Sequence, residues 1–429
     1  MENPLTWAFL AALAAATALR LWLAGRQVRH VRAHKDRVPE GFAEAIPLAA
    51  HRKAADYSVV RTRAGIVEVL VDAAVLLALT LGGVLQVVSD AWAGLLTPGS
   101  LWHGVAWIVS VVLLLALLEL PLALYRTFVI EVRFGFNRMT PALFAADLAR
   151  QAALSLALGV PLLFLVLWLM DAMGEWWWLY VWIAWIAFNL ALLMLYPTFI
   201  APLFNRFTRL EDATLAARIE ALLRRCGFRS NGLFVMDGSK RSTHGNAYFT
   251  GFGAAKRIVF FDTLLARLAP GEVEAVLAHE LGHYRRYHVW KRIGLVFAFS
   301  LALLWVLDQL SAEAWFYEGL GVHTHTTAGA LLLFFLVAPV FGFFLQPLAS
   351  LYSRRHEFEA DAYAASHASA SDLVRALVKL YQDNAATLTP DPLHSAFYDS
   401  HPPAASRVAR LIAHMPVPPL DRPLTEETR

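Results

Sequence analysis

Seven stretches of this chain are apolar enough, and about long enough, to cross a bilayer, and nothing else in the sequence constrains the fold as strongly. They run Leu5–Gly25, Val67–Val88, Leu101–Tyr125, Gln151–Met170, Trp176–Tyr196, Arg292–Leu310 and Gly329–Ser350. A hydrocarbon core of ~30 Å takes roughly 20 helical residues to span. Inside it, only a helix or a closed barrel satisfies its own backbone polar groups. A hydrophobic content of 58%, only 17% charged residues and a mean hydropathy of +0.49 fit a membrane chain better than a soluble one of 429 residues. The first stretch has no basic flank before it and carries Arg20, so it is expected to stay as an anchor rather than leave as a signal peptide. A net charge of +3 is too mild to imply nucleic acid, and no such partner is expected. The single cysteine, Cys226, excludes an internal disulfide and any Cys-rich metal site.

The connections between the stretches alternate in charge. Nine Lys and Arg lie between the first and second, from Arg26 to Arg63, and four between the third and fourth, from Arg126 to Arg150. The connections Ser89–Ser100, Asp171–Glu175 and Ser311–Thr327 contain none. Positive charge marks the inside, so the amino terminus is expected outside and the carboxyl terminus inside.

Two long polar regions then fall on the inside, which divides the chain into residues 1–196 (five helices), 197–291, 292–350 (two helices), 351–415 and a flexible tail at 416–429. The first polar region reads as a small α/β unit. An amphipathic helix around Leu215 precedes short β-like runs at Leu233–Met236, Ala247–Thr250 and Arg257–Phe261, the last two joined by Gly251-Phe252-Gly253. A helix from about Gly271 follows and is expected to run on into the sixth stretch. Asp72, Glu119 and Asn189 lie within apolar stretches. Polar groups there face a watery interior, lie near helix ends or bond across the bundle.

The helix from Gly271 carries His279-Glu280-Leu281-Gly282-His283, an H-E-x-x-H. Residues four apart share a helix face, so two imidazoles can point at one metal ion. Glu280 sits beside them, where it can accept a proton from water without being a ligand. Three fixed letters in five also recur by chance, so the surroundings decide. The continuation that supplies a third histidine needs glycine at 286 and histidine at 289. The chain has Arg286 and Val289, with His288 one place out of register. The other solution is a downstream carboxylate. Glu357 and Asp361, just after the seventh stretch, are four apart and share a face; one can bind metal while the other holds a ligand imidazole. His323 and His325 fall on the outer side. His244 and His401 fall on the inner side, and His401 opens a loop six residues before Arg407.

At these residues the chain resembles the CAAX prenyl protease 1 family of integral-membrane zinc metalloproteases. The likeness extends to Thr127–Glu131 with Phe134-Gly135-Phe136-Asn137, to Pro202–Asn205 and to Asp237–Ser242. It continues through Asn246–Phe249, Lys256–Val259, Asp262–Leu265, the His279–His283 motif and Glu357 with Asp361. The resemblance implies seven transmembrane helices around a water-filled chamber, with a small gluzincin-like α/β metalloprotease domain. It implies one Zn2+ held by His279, His283 and Glu357, with Glu280 as base, Asp361 orienting a ligand, and His401 and Arg407 near the scissile carbonyl. It implies that Asn246, Ala247 and Tyr248 form an edge strand that pairs with an extended peptide. A monomer in a bacterial inner membrane is expected, with the zinc face cytoplasmic. Either CAAX-like processing or membrane-protein quality control would be its work. Glu359, roughly 200° around the helix from Glu357, is expected to pair with Arg355 and to leave the metal alone. The competing reading is a seven-helix transporter or receptor with an incidental H-E-x-x-H.

Overall fold

The computed structural model describes residues 3–250 and 257–413; the Gly251-Phe252-Gly253 turn and the tail at 416–429 lie outside them. The chain opens with α1 (Pro4–His34), α2 (Leu48–Leu79), α3 (Val84–Ala93), α4 (Leu101–Tyr125), α5 (Pro141–Ala172) and α6 (Trp177–Leu195). Several of these begin at caps that sequence supplies. Asn3 accepts from the Leu5 amide at 3.0 Å just before Pro4, and Thr140 accepts from Leu143 at 3.2 Å just before Pro141. Among the described residues six helices are long and apolar enough to cross a membrane, or seven if one bent pair counts as a span. The bent pair is α2 and α3, which meet at 47°. The apolar stretch Val67–Val88 is therefore no straight helix. A Cβ on Gly82 would lie 2.7 Å from the Ala78 carbonyl oxygen, and Gly83 has a φ of 76°, so two glycines permit the turn.

After α7 (Ala201–Phe204) come β1 (Phe207–Arg209), α8 (Ala213–Arg225), β2 (Leu233–Met236), β3 (Ala247–Thr250) and β4 (Arg257–Phe261). They form one sheet in the order β1-β2-β4-β3, with β2 and β4 parallel and both outer pairs antiparallel. The three β-like runs of the sequence are β2, β3 and β4; β1 is an addition. β3 lies at the edge of the sheet.

Then follow α9 (Asp262–Leu265), α10 (Pro270–Arg285), α11 (His288–Ser311), α12 (Ala314–Glu318), α13 (Thr327–Gly342), α14 (Gln346–His367), α15 (Ala370–Asp383), α16 (Pro392–Tyr398) and α17 (Ala404–Ala413). The expected continuous helix through residue 287 is broken: Tyr287 is left-handed with a φ of 58°, which separates α10 from α11. By contrast α13 passes into α14 through only the short turn Phe343–Leu345, so Glu357 rides on a helix that grows out of the last span.

One end of the bundle gathers the chain start and two loops. Asn3 donates to the Trp315 carbonyl at 2.7 Å, and Gln86 donates to the Thr324 hydroxyl at 2.8 Å. Elsewhere, the later part of α1 is tied to the polar domain, where Arg26 pairs with Asp391 at 2.9 Å and Asp391 caps α16. A cavity of about 1200 Å³ lies among α4, α5, α6, α11 and α13, with mainly apolar walls that include Glu119. Asp72 is exposed, whereas Asn189 donates to the Trp185 carbonyl one turn back at 2.7 Å.

α10 is the buried axis of the polar domain. Its residues pack with Ile219 and Leu222 of α8, Phe260 of β4 and Leu373 of α15. Two carboxylates are buried with it and both are paired: Glu272 takes Lys379 Nζ at 2.7 Å, and Glu274 takes Arg225 at 2.6 Å together with Arg218. A buried carboxylate is tolerated only with such partners.

Candidate active site

His279 and His283 stand one turn apart on α10, and Glu357 comes from α14, the helix packed most closely against it. Gly282 makes that approach possible. A Cβ there would lie 2.9 Å from Ala360 Cα and 3.0 Å from Tyr363 Cβ. The two Nε2 atoms are 3.2 Å apart; Glu357 Oε2 lies 3.5 Å from that of His279, and Glu357 Oε1 lies 3.3 Å from that of His283. Donor atoms about 2.0–2.2 Å from a tetrahedral ion are roughly 3.3–3.5 Å from one another. One donor atom from each of the three residues lies within 4.8 Å of the other two, a cluster that could close on a metal ion. Glu357 is 3% exposed and its buried Oε2 has no hydrogen-bond partner, with Arg407 Nη1 at 3.7 Å, which leaves a lone pair that a metal ion would satisfy.

Behind the triangle, His279 Nδ1 lies 2.9 Å from Asp361 Oδ1. Asp361 in turn receives Arg407 of α17 through two bonds, 2.8 Å from Nε and 2.6 Å from Nη2. Burial works against a proton on His279, but Asp361 and Glu357 outweigh it and raise its pKa to about 9. A metal ion must therefore displace that proton. Burial likewise pushes the Glu280 carboxyl above its ordinary range, against the pull of His279 and His283.

A cleft of about 240 Å³ opens beside the triangle. Glu280, His401, Arg407, Asn246 and Ala247 all line it, together with an apolar wall of Leu373, Leu377 and Leu380 from α15. His401 is exposed, with Nε2 3.5 Å from Glu357 Oε2. Asn246 and Ala247 belong to the sheet-edge segment, where Ala247 pairs with Phe260 and Tyr248 with Val259 on the inner side. The structure thus brings together His279, Glu280, His283, Glu357, Asp361, His401, Arg407, Asn246 and Ala247, with Tyr248 on the same strand but outside the cleft lining.

His244 is not at the triangle. It stacks on Phe136, centroids 4.7 Å apart, and its Nδ1 lies 3.0 Å from Asn384 Oδ1 in the cleft wall. Its Nε2 is 3.7 Å from Glu131, which accepts from Tyr57 at 2.6 Å. Sequence reading missed this chain of contacts, because α2, the segment after α4 and α15 supply its members.

Two family models divide the chain between them: CAAX prenyl protease N-terminal, five membrane helices, over residues 27–206, and peptidase family M48 over residues 209–414. CAAX prenyl protease 1 of Saccharomyces cerevisiae is 36% identical over 311 residues, covering 69% of each chain. The chain belongs to the CAAX prenyl protease 1 family. A CAAX prenyl protease 1 homolog of Arabidopsis thaliana is 37% identical, over 73% of this chain and 74% of its own. A crystal structure of S. mikatae Ste24p superposes with a TM-score of 0.88 at 30% identity, covering 95% of this chain and 99% of that one. As a member of the CAAX prenyl protease 1 family, the chain is a multi-span integral-membrane zinc metalloprotease acting on peptide substrates. Membership removes the transporter or receptor reading.

Proposed function

We propose that the chain binds one Zn2+ on His279, His283 and Glu357 and hydrolyses peptide bonds there with Glu280 as general base. The observation that carries this reading is the cluster of three donor atoms, with a buried Glu357 oxygen that has no hydrogen-bond partner. Zinc, when bound, supplies Lewis-acid polarisation of the scissile carbonyl and an acidified water. Glu280, beside the triangle and in the cleft, takes the proton of the attacking water and returns it to the leaving amine. His401 and Arg407 also line the cleft, and they donate to the oxygen on which negative charge develops, Arg407 through the Nη1 that Asp361 does not use. Asp361 fixes the tautomer of His279, so that Nε2 keeps its lone pair for the metal.

The substrate lies extended along β3. β3 is the outer strand of the sheet, so a substrate strand can pair along Asn246, Ala247 and Tyr248 once the Asn246 side chain releases the Ala247 amide it holds at 2.8 Å, and main-chain pairing tolerates varied side chains. The apolar wall of α15 suits an aliphatic side chain. Such recognition serves quality control of membrane proteins as well as the CAAX processing that the relatives' names describe for them. The seven helices enclose a water-filled chamber, and Glu119 in the cavity wall supports this. The Lys and Arg bias of the connections supports a site on the cytoplasmic face, on this reading in a bacterial inner membrane, where the enzyme works as a monomer.

Glu280→Gln tests the assignment. It leaves the three ligands in place, so zinc per protein should stay near one while turnover falls by at least about 100-fold. His279→Ala should lose both zinc and turnover. A Gln variant that cleaves at the normal rate contradicts the base assignment.

A further inference from the structure

The two ligand histidines are held from behind in different ways. His279 meets a carboxylate directly, through Asp361. His283 instead places Nδ1 3.1 Å from Nδ1 of His288, whose Nε2 lies 3.1 Å from Glu359 Oε2. Neither residue has a role in the mechanism above. We propose that Glu359 and His288 form a two-residue relay that orients His283 and strengthens its grip on the metal. The inference rests on His283 being a ligand.

Donor and acceptor arithmetic fixes the direction of the relay. With Nε2 of His283 given to a metal, its Nδ1 carries the proton and must donate. His288 Nδ1 is then an acceptor, which puts the His288 proton on Nε2, where Glu359 accepts it. Each nitrogen has one partner and each hydrogen one acceptor. Glu359 thus acts through His288, selecting the tautomer in which His288 can receive from His283.

Packing holds the relay rigid. His288 is 1% exposed, and its ring stacks on His356 with centroids 3.9 Å apart and planes 9° apart. The backbone is bent to make the contact. On a continuous helix a residue five positions on would lie roughly 140° around the axis from His283. The left-handed Tyr287 breaks α10 and brings His288 back against the ligand. A non-glycine residue in that region is uncommon and often marks a functional constraint. Glu359 points its other oxygen at Arg355, one turn away at 3.2 Å, on the exposed side of α14.

The test is zinc retention by purified full-length protein, measured as competition against a chelator of known affinity. Glu359→Ala and His288→Phe should each weaken retention roughly 10–100-fold, the usual cost of losing an outer partner of a metal ligand. The double variant should be no worse than His288→Phe alone, because Glu359 works only through His288. His288→Gln, which keeps one acceptor and one donor, should recover part of the loss. Arg355→Ala should retain zinc normally, which separates the relay from the surface ion pair. If His288→Phe fails to fold, Glu359→Ala at its partly exposed position still decides. Wild-type retention in Glu359→Ala, or additive losses in the double variant, would overturn the relay. His283→Ala tells that failure apart from failure of the ligand reading, since it must lose zinc if His283 is a ligand at all.

Discussion

If His279 is a metal ligand as proposed, binding must remove one proton from it. Asp361 and Glu357 raise its pKa to about 9 despite burial, so below that pH the free site holds a proton that a metal must expel. The sign follows directly. Apparent zinc affinity should rise with pH by about tenfold per unit between roughly pH 6 and 8 from this group, and flatten as pH passes about 9. Asp361→Asn removes the nearer carboxylate and should make the profile shallower while weakening zinc retention roughly 10–100-fold. Chelator competition at several pH values checks both. A flat profile in the unaltered protein would mean that His279 carries no proton for the metal to displace. Glu359 shows the limit of periodicity. Its position on α14 correctly pairs it with Arg355 at 3.2 Å, but its second oxygen finds His288, a residue 71 positions away that helical spacing cannot bring near.

The approach of α10 to α14 sets the width of the ligand triangle, and Gly282 sets the approach. A methyl group at 282 would meet the backbone of Ala360, which has no rotamer to move aside. Gly282→Ala should therefore force the two helices apart by a few tenths of an ångström, at about 1–3 kcal/mol. His283 and Glu357 flank this contact, so zinc affinity should fall along with the thermal midpoint. An alanine variant with unchanged zinc affinity would show that the triangle is set elsewhere. Much at this level was legible beforehand. The runs that became β2, β3 and β4 alternate or carry β-branched and aromatic residues, and the H-E-x-x-H spacing is itself a helical repeat. The breaks were not legible. Nothing in Arg286-Tyr287-His288 signals a left-handed residue, and an apolar run through Gly82-Gly83 reads as continuous although the backbone turns there, with no room for a side chain between Gly82 and the Ala78 carbonyl. The proposed third ligand was legible only as one of two carboxylates on a shared face, since the packing of α14 on α10 joins residues more than 70 positions apart.

Across the whole chain, the contacts made by connections free of Lys and Arg are distinct from those that reach the domain carrying the site. Asn3, Gln86, Trp315 and Thr324 meet at one end of the bundle, in or beside connections free of Lys and Arg. Arg26 reaches Asp391 in the domain that carries the site. Reporter fusions at Gly321 and after the carboxyl terminus should therefore report opposite compartments, with the carboxyl-terminal one cytoplasmic; the same compartment for both contradicts the seven-span arrangement. The central claim is that one zinc ion, held by His279, His283 and Glu357, makes the chain a peptidase. The most direct measurement is zinc content and cleavage of a generic peptide by purified protein, before chelation, after chelation and after zinc is returned. The expected result is about one zinc per chain, loss of cleavage as zinc leaves and recovery when it is restored. Protein that cleaves at full rate with no zinc bound would contradict the account.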